Sequence, residues 1–165
     1  MDAIDQISIR PFCEDDRSLV VDFFDQMSGE TRGFFDRGHG NRMTALKYFD
    51  GDKSSTDRFM AVVDGRMVGY VFLWDMDTGV PWLGIAVAEH LKGKHLGRRL
   101  IEHAHNHARQ CGKGGVMLTT SFGNVRGQSL YERMGYERLG IHISSEILYV
   151  YRFKNHPDRH PLRSL

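Results

Sequence analysis

The sequence predicts an α+β domain: a mixed, mostly antiparallel central sheet flanked by helices, with one parallel βαβ unit at its centre. Three observations carry this. Two apolar runs, 81–87 and 116–120, are separated by a segment of helical periodicity, 98–111, and a strand–helix–strand connection of that length makes a parallel pair. Asp64-Gly65 joins two further strand-like runs as a two-residue hairpin. Runs 136–141 and 146–153 lie close enough to form a second hairpin.

Each element follows in order. Ile7-Ser8-Ile9-Arg10-Pro11 alternates and stops at the proline, a short first strand. Leu19, Val20, Phe23, Phe24 and Met27 recur at helical spacing and predict a first helix over 19–27. Ser28-Gly29-Glu30-Thr31-Arg32-Gly33 breaks it. Residues 34–49 read as one or two short helices interrupted at Gly38-His39-Gly40. Strands follow over 58–63, 66–74 and 81–87, then the helix over 98–111. Gly112-Lys113-Gly114-Gly115 turns the chain into strand 116–120, and a helix over 128–134 stops at Gly135. One domain is expected over 1–155, with 156–165 as a poorly ordered tail.

Composition bounds the function. A chain of 165 residues, 41% hydrophobic and 26% charged, is long enough for one domain with a real core. A formal net charge of +1 argues against nucleic acid as a partner. Cys13 and Cys111 lie far apart in no CxxC arrangement, which favours two free thiols in a reducing compartment. The opening residues have no basic and apolar regions of a signal peptide, and no apolar run approaches a membrane span. A soluble, cytoplasmic protein with no membrane partner is the expectation.

The chemistry concentrates in the loop Lys92-Gly93-Lys94-His95-Leu96-Gly97, which follows the apolar run Leu83-Gly84-Ile85-Ala86-Val87 and opens a helix. The first N–H groups of a helix have no intrahelical partner, and the helix dipole adds positive charge there. A basic loop at that point is a site for a phosphate or pyrophosphate. Lys94, Arg98 and Arg99 add charge. No Gly-Lys-Ser/Thr follows, so this is not a P-loop, and it is not the GxGxxG dinucleotide fingerprint.

A second signal lies further on: Asn124, then Tyr131 seven residues later, closed by Gly135-Tyr136. In this element order, the two segments resemble the Gcn5-related N-acetyltransferase (GNAT) superfamily. The resemblance implies the acyl-CoA N-acyltransferase fold, acetyl-CoA as co-substrate without a metal, and transfer of acetyl to a primary amine by direct attack in a ternary complex. It implies that Lys92, Gly93, Lys94, His95, Leu96, Gly97 and Arg98 bind the pyrophosphate, with Lys92 where relatives carry Arg or Gln and His95 where they usually carry glycine. By the same resemblance Ile85, Ala86 and Val87 hold the pantetheine arm, an N–H near Val87 meets the thioester oxygen, and Asn124 touches the arm. Tyr131 is then the catalytic residue, placed to protonate the departing thiolate.

The resemblance also places an acceptor cleft along 27–43 and the last hairpin, for a small-molecule or peptide amine. Arg32, Arg37 and His39 would make one wall positive, and Asp75 and Asp77 the other negative; the pairs Phe23-Phe24 and Phe34-Phe35 serve mostly as core. Many relatives carry a Glu early in the fourth strand as general base, but Val80-Pro81-Trp82-Leu83-Gly84 has no carboxylate. Glu89, His90, Asp75, Asp77 and ordered water stay open for that role. A non-catalytic acyl-CoA-binding or sensor domain on the same fold is the alternative, and a homodimer is left open.

His103, His105, His107 and Cys111 invite a metal reading. On a helical wheel His103 and His105 fall at the borders of the apolar arc and His107 inside it. There is no HExxH and no carboxylate ligand on that face, so no metal is expected.

Overall fold

The structure, a computed structural model, describes residues 3–35, 40–53 and 55–154. Its strands are β1 (Ser8–Pro11), β2 (Asp57–Val63), β3 (Arg66–Trp74), β4 (Trp82–Val87), β5 (Gly115–Thr120), β6 (Glu137–Ile141) and β7 (Ile147–Arg152). Its helices are α1 (Arg17–Asp25), α2 (Gly29–Phe35), α3 (Arg42–Leu46), α4 (Leu96–Gln110) and α5 (Val125–Met134). The strands form one sheet in the order β1-β2-β3-β4-β5-β7-β6. β4 and β5 are parallel and every other neighbouring pair is antiparallel, as the mixed-sheet expectation requires.

Strand alternation builds two cores, one on each face of the sheet. Phe59, Ala61, Val71 and Leu73 point to the face covered by α4 and α5, and Met60, Tyr70 and Phe72 to the face covered by α1 and α3. On the first face Leu96, Leu100 and Ile101 are fully buried, each contributing about 1.5–3 kcal/mol by leaving water. On the second, Val20, Phe23 and Phe24 of α1 pack on the sheet, so the Phe23-Phe24 pair is core. A Cβ on Gly84 would lie 2.1 Å from Phe72 Cζ; the missing side chain lets that ring rest on β4. Asp64 and Gly65 both have positive φ (51° and 71°), the conformation of a two-residue hairpin turn.

The helix expected over 19–27 runs over Arg17–Asp25, and three further assignments change. The expected break at 28–33 is helix α2, whose start is stabilised by Ser28: its Oγ accepts the Thr31 N–H at 3.1 Å. The helix expected over 98–111 starts at Leu96, because that residue is buried beneath the loop it ends. The helix expected over 128–134 starts at Val125, because Asn124 caps it through a hydrogen bond from the Gly127 N–H. The expected interruption at Gly38-His39, the acceptor-wall residues Arg37 and His39, and the tail over 156–165 lie outside the described residues. Among the described residues no helix is long and apolar enough to cross a membrane.

Candidate active site

The central parallel pair does not stay paired. Its Cα register holds at Trp82 and Met117, with the Met117 N–H donating to the Pro81 carbonyl at 2.9 Å. Beyond that point the strands diverge, and β4 continues along β3 alone. The Ala88 N–H donates to Val68 of β3, so by strand alternation the N–H groups of Ile85 and Val87 point to the opposite, open edge. A cleft of about 840 Å³ opens there, between β4, the α4 N-terminus and α5. Of the residues expected in the site, Ile85, Ala86, Val87, Lys92, Gly93, His95, Gly97, Arg98, Asn124 and Tyr131 line it.

Lys94 and Leu96 do not. Lys94 is exposed outside the cleft, and the Leu96 side chain is fully buried in the core, so only its backbone can serve the loop. The loop's turns are made by Gly93 (φ 76°) and His95 (φ 67°), both left-handed. His95 thus holds a backbone conformation that glycine adopts without steric cost. The first intrahelical bond here runs from the Arg99 N–H to the His95 carbonyl at 3.2 Å, which leaves the Leu96, Gly97 and Arg98 N–H groups as the helix's donors toward the cleft. Gly97 is tightly packed: a Cβ there would sit 3.1 Å from Leu130 Cδ2 of α5.

The loop's cations are arranged differently from the sequence expectation. Lys92 Nζ lies 2.6 Å from Glu89 and 2.5 Å from Thr31 of α2, so its charge is answered by a carboxylate. Arg99 turns away, donating to the carbonyls of Ile4 and Ile7 at 2.9 Å. Arg98 stays on the cleft wall, with Nε on Glu102 at 2.9 Å. Two more cations, Arg126 and Arg133 of α5, line the cleft. The sequence reading missed both, although Arg126 stands two residues after the Asn124 it singled out. Glu30, Thr31 and Phe34 also line the cleft, so α2, expected along the acceptor side, borders the same space as the 92–97 loop.

Asn124 is a builder of the cleft. Its Oδ1 accepts the Gly127 N–H at 3.1 Å and its Nδ2 donates to Thr120 Oγ1 at 3.0 Å, tying the end of β5 to the start of α5. Tyr131 stands at the cleft floor, 6% exposed, with its ring against Tyr136 and Tyr149. Its hydroxyl has no hydrogen-bond partner among the described residues. Burial, reinforced by Tyr149, holds its pKa well above the ordinary phenol range, so it keeps its proton at neutral pH.

The candidate bases are dispersed. Glu89 borders the cleft, but Lys92, Ser28 (2.5 Å) and Thr31 (2.6 Å) donate to its carboxylate and bring its pKa down to about 2. His90 lines a separate groove of about 640 Å³ between α1 and the β2–β3 hairpin. Asp75 and Asp77 are exposed in the turn before β4, at the end opposite the 92–97 loop. There Trp74 stacks on Trp82 at 6.0 Å and Trp82 meets the His142 ring at 5.6 Å, an aromatic edge the sequence reading did not identify. No residue of the β6–β7 hairpin lines the large cleft.

The helix histidines also need correction. His105, placed at a border by the wheel, is buried, because the rings of Tyr136, Tyr151 and Phe153 cover that side of α4. Its Nε2 meets the Tyr136 hydroxyl at 2.6 Å, and burial, with Arg109 nearby, brings its pKa down to about 4. His107 is only half-buried, and a carboxylate does reach it: Asp57, the first residue of β2, lies 2.6 Å from its Nε2.

A model of the acetyltransferase (GNAT) family matches residues 21–136. No curated protein matches the chain by sequence. Among solved structures, the GNAT domain of PAT from S. lividans superposes with a TM-score of 0.77 at 16% identity, covering 88% of this chain and 89% of that one. The PaiA N-acetyltransferase from Thermoplasma acidophilum, in complex with coenzyme A, gives 0.73 at 16% identity, covering 89% and 99%. The ribosomal-protein-S5-alanine acetyltransferase from Vibrio fischeri gives 0.74 at 13% identity, covering 94% and 96%. At such identities these likenesses concern the fold.

Proposed function

The chain belongs to the GNAT acetyltransferase family, and from that premise we propose that it moves an acetyl group from acetyl-CoA to a primary amine by direct attack in a ternary complex. The carrying observation is the divergence of β4 from β5, which opens a cleft between the donor end of α4 and the Tyr131 hydroxyl. The fit to the co-substrate is chemical. The unpaired N–H groups of Ile85 and Val87 suit the amides of an extended pantetheine arm, which would pair with β4 as another strand does. The donors of Leu96, Gly97 and Arg98, with the guanidinium groups of Arg98, Arg126 and Arg133, suit phosphates.

Each residue then has a role. The Val87 N–H donates to the thioester oxygen as negative charge develops on it. Tyr131 donates its O–H to the sulfur as the carbon–sulfur bond breaks. A phenol held above its ordinary pKa is a weaker acid than a thiol of pKa about 8.5, so this group stabilises the thiolate chiefly by its hydrogen bond. With phosphate at the α4 end, the amine enters from the start of β4. Asp75 and Asp77 there attract a cationic amine, but they lie about 16 Å of strand from Val87, so the proton it must lose passes to water. Glu89, held near pKa 2 by Lys92 and two hydroxyls, is too weak a base for that step.

The experiment is release of free thiol from acetyl-CoA across an amine panel, with mass spectrometry of the acceptor. Amine-dependent release and an acceptor heavier by one acetyl group support the proposal. Coenzyme A binding without turnover on any amine would instead support the non-catalytic acyl-CoA-binding reading.

A further inference from the structure

We propose that the C-terminal end of α4 and the first residue of β2 form a zinc site, with Asp57, His107 and Cys111 as ligands. One ligand atom from each residue converges, all within 4.8 Å of one another. His107 Nε2 lies 2.6 Å from Asp57 Oδ2 and 3.7 Å from Cys111 Sγ. His107 and Cys111 are four apart, so one helical face presents both. The β2 start supplies the third from a distant part of the chain.

The geometry separates a chelate from an activated thiol. A nucleophile relay needs the carboxylate on one imidazole nitrogen and the sulfur on the other. Here both face the same nitrogen, Nε2, so the carboxylate cannot orient the ring while Nε2 takes a thiol proton. Three donors from three residues, grouped within 4.8 Å, instead suit a chelate around one ion. A tetrahedral zinc with sulfur at about 2.3 Å and nitrogen and oxygen at about 2.0 Å keeps its donors roughly 3.3–3.6 Å apart. The sulfur–nitrogen separation is close to that already. The nitrogen–oxygen pair must open by roughly 0.7 Å and the sulfur–oxygen pair, which lies within 4.8 Å, must settle at about 3.5 Å; both adjustments fall to the half-exposed Asp57 side chain.

The chemistry of the set selects the ion. Thiolate, imidazole and carboxylate together suit zinc over magnesium or calcium. Binding displaces one proton from the Cys111 thiol to solvent, and Cys111 and Asp57 together balance the two positive charges. The Phe59 ring packs against His107 at 4.9 Å and steadies its plane. Cys111 is exposed, which gives the ion an entry path and leaves the fourth position to water. α4 places His107 and Cys111 roughly 16 and 22 Å from its start at Leu96, at about 1.5 Å per residue. The ion therefore clips α4 to β2 and takes no part in acetyl transfer, and the proposal stands independently of that function.

The test is titration of the metal-stripped full chain with zinc in competition with a chromophoric chelator, followed by cobalt(II) substitution. The wild type is expected to bind one equivalent of zinc, to melt at a higher temperature with it, and to show a thiolate-to-cobalt charge-transfer band. Cys111→Ser, at an exposed position that leaves the fold intact, should lose the band and bind zinc at least about tenfold more weakly. His107→Gln should do the same, and Cys13→Ser, the other exposed thiol, should change nothing. Absence of zinc binding by the wild type, wild-type zinc affinity in Cys111→Ser, or a cobalt complex without the thiolate band would overturn the proposal.

Discussion

Replacing Tyr131 by Phe removes one oxygen from the floor of the cleft. The ring stays, and it carries the packing: it is 6% exposed and lies 5.8 Å from Tyr136 and 5.9 Å from Tyr149. The hydroxyl has no hydrogen-bond partner among the described residues, so its loss strands no buried donor or acceptor. Stability should therefore change by less than about 0.5 kcal/mol. Affinity for acetyl-CoA should also hold, because the hydroxyl meets the sulfur only as charge develops there. The chemical step loses a donor to the departing thiolate, comparable to losing one oxyanion donor, so kcat should fall by about 10²–10³, or roughly 2.7–4 kcal/mol. Stopped-time thiol release on the best acceptor, beside calorimetry with coenzyme A, gives both numbers. Turnover at the wild-type rate would make Tyr131 a packing residue and leave the thiolate to water.

Other outcomes follow from single positions. His95→Gly relieves a left-handed backbone at φ 67° and should stabilise the fold by about 0.5–1 kcal/mol in urea unfolding, while His95→Val should destabilise it; equal midpoints for the two would refute the strain argument. His105 must stay neutral, since burial lowers its folded pKa to about 4 from an ordinary 6.5. Its contribution is complete above pH 6.5 and is lost as pH falls toward 4, by up to roughly 3 kcal/mol. His105→Gln should flatten that part of the stability–pH curve, and an unchanged slope would assign it to other groups.

How far the sequence carries can be judged at particular residues. The β2–β3 hairpin was legible because Asp64-Gly65 has one conformational meaning, and α4 because its apolar residues repeat at helical spacing. α2 was not, because Gly29 and Gly33 obscure a helix whose start depends on the Ser28 hydroxyl. α5 extends three residues earlier than the apolar spacing shows, because Asn124 caps it through the Gly127 N–H. Lys92 reads as a phosphate cation; that Glu89 and Thr31 also hold it follows from the fold and from no local spacing. Asp57 lies 50 residues from His107, and no local spacing brings them together. The separation of β4 from β5 beyond Trp82 and Met117 is a matter of inter-strand pairing, which periodicity along one strand does not encode.

The central claim is that coenzyme A lies across the α4 N-terminus in the cleft between β4 and β5, and calorimetric titration of the Gly97 variants tests it most directly. Gly97→Ala places a Cβ 3.1 Å from the flexible end of Leu130, which can yield by a few tenths of an ångström. Gly97→Val adds two methyl groups to a space already filled by Leu130, Val87 and Ile85, pushing the loop and α5 apart. Wild type should bind coenzyme A, Gly97→Ala more weakly, and Gly97→Val at least about 10²-fold more weakly, with a circular dichroism spectrum that still shows a folded chain. Coenzyme A affinity unchanged in a folded Gly97→Val variant would contradict the account.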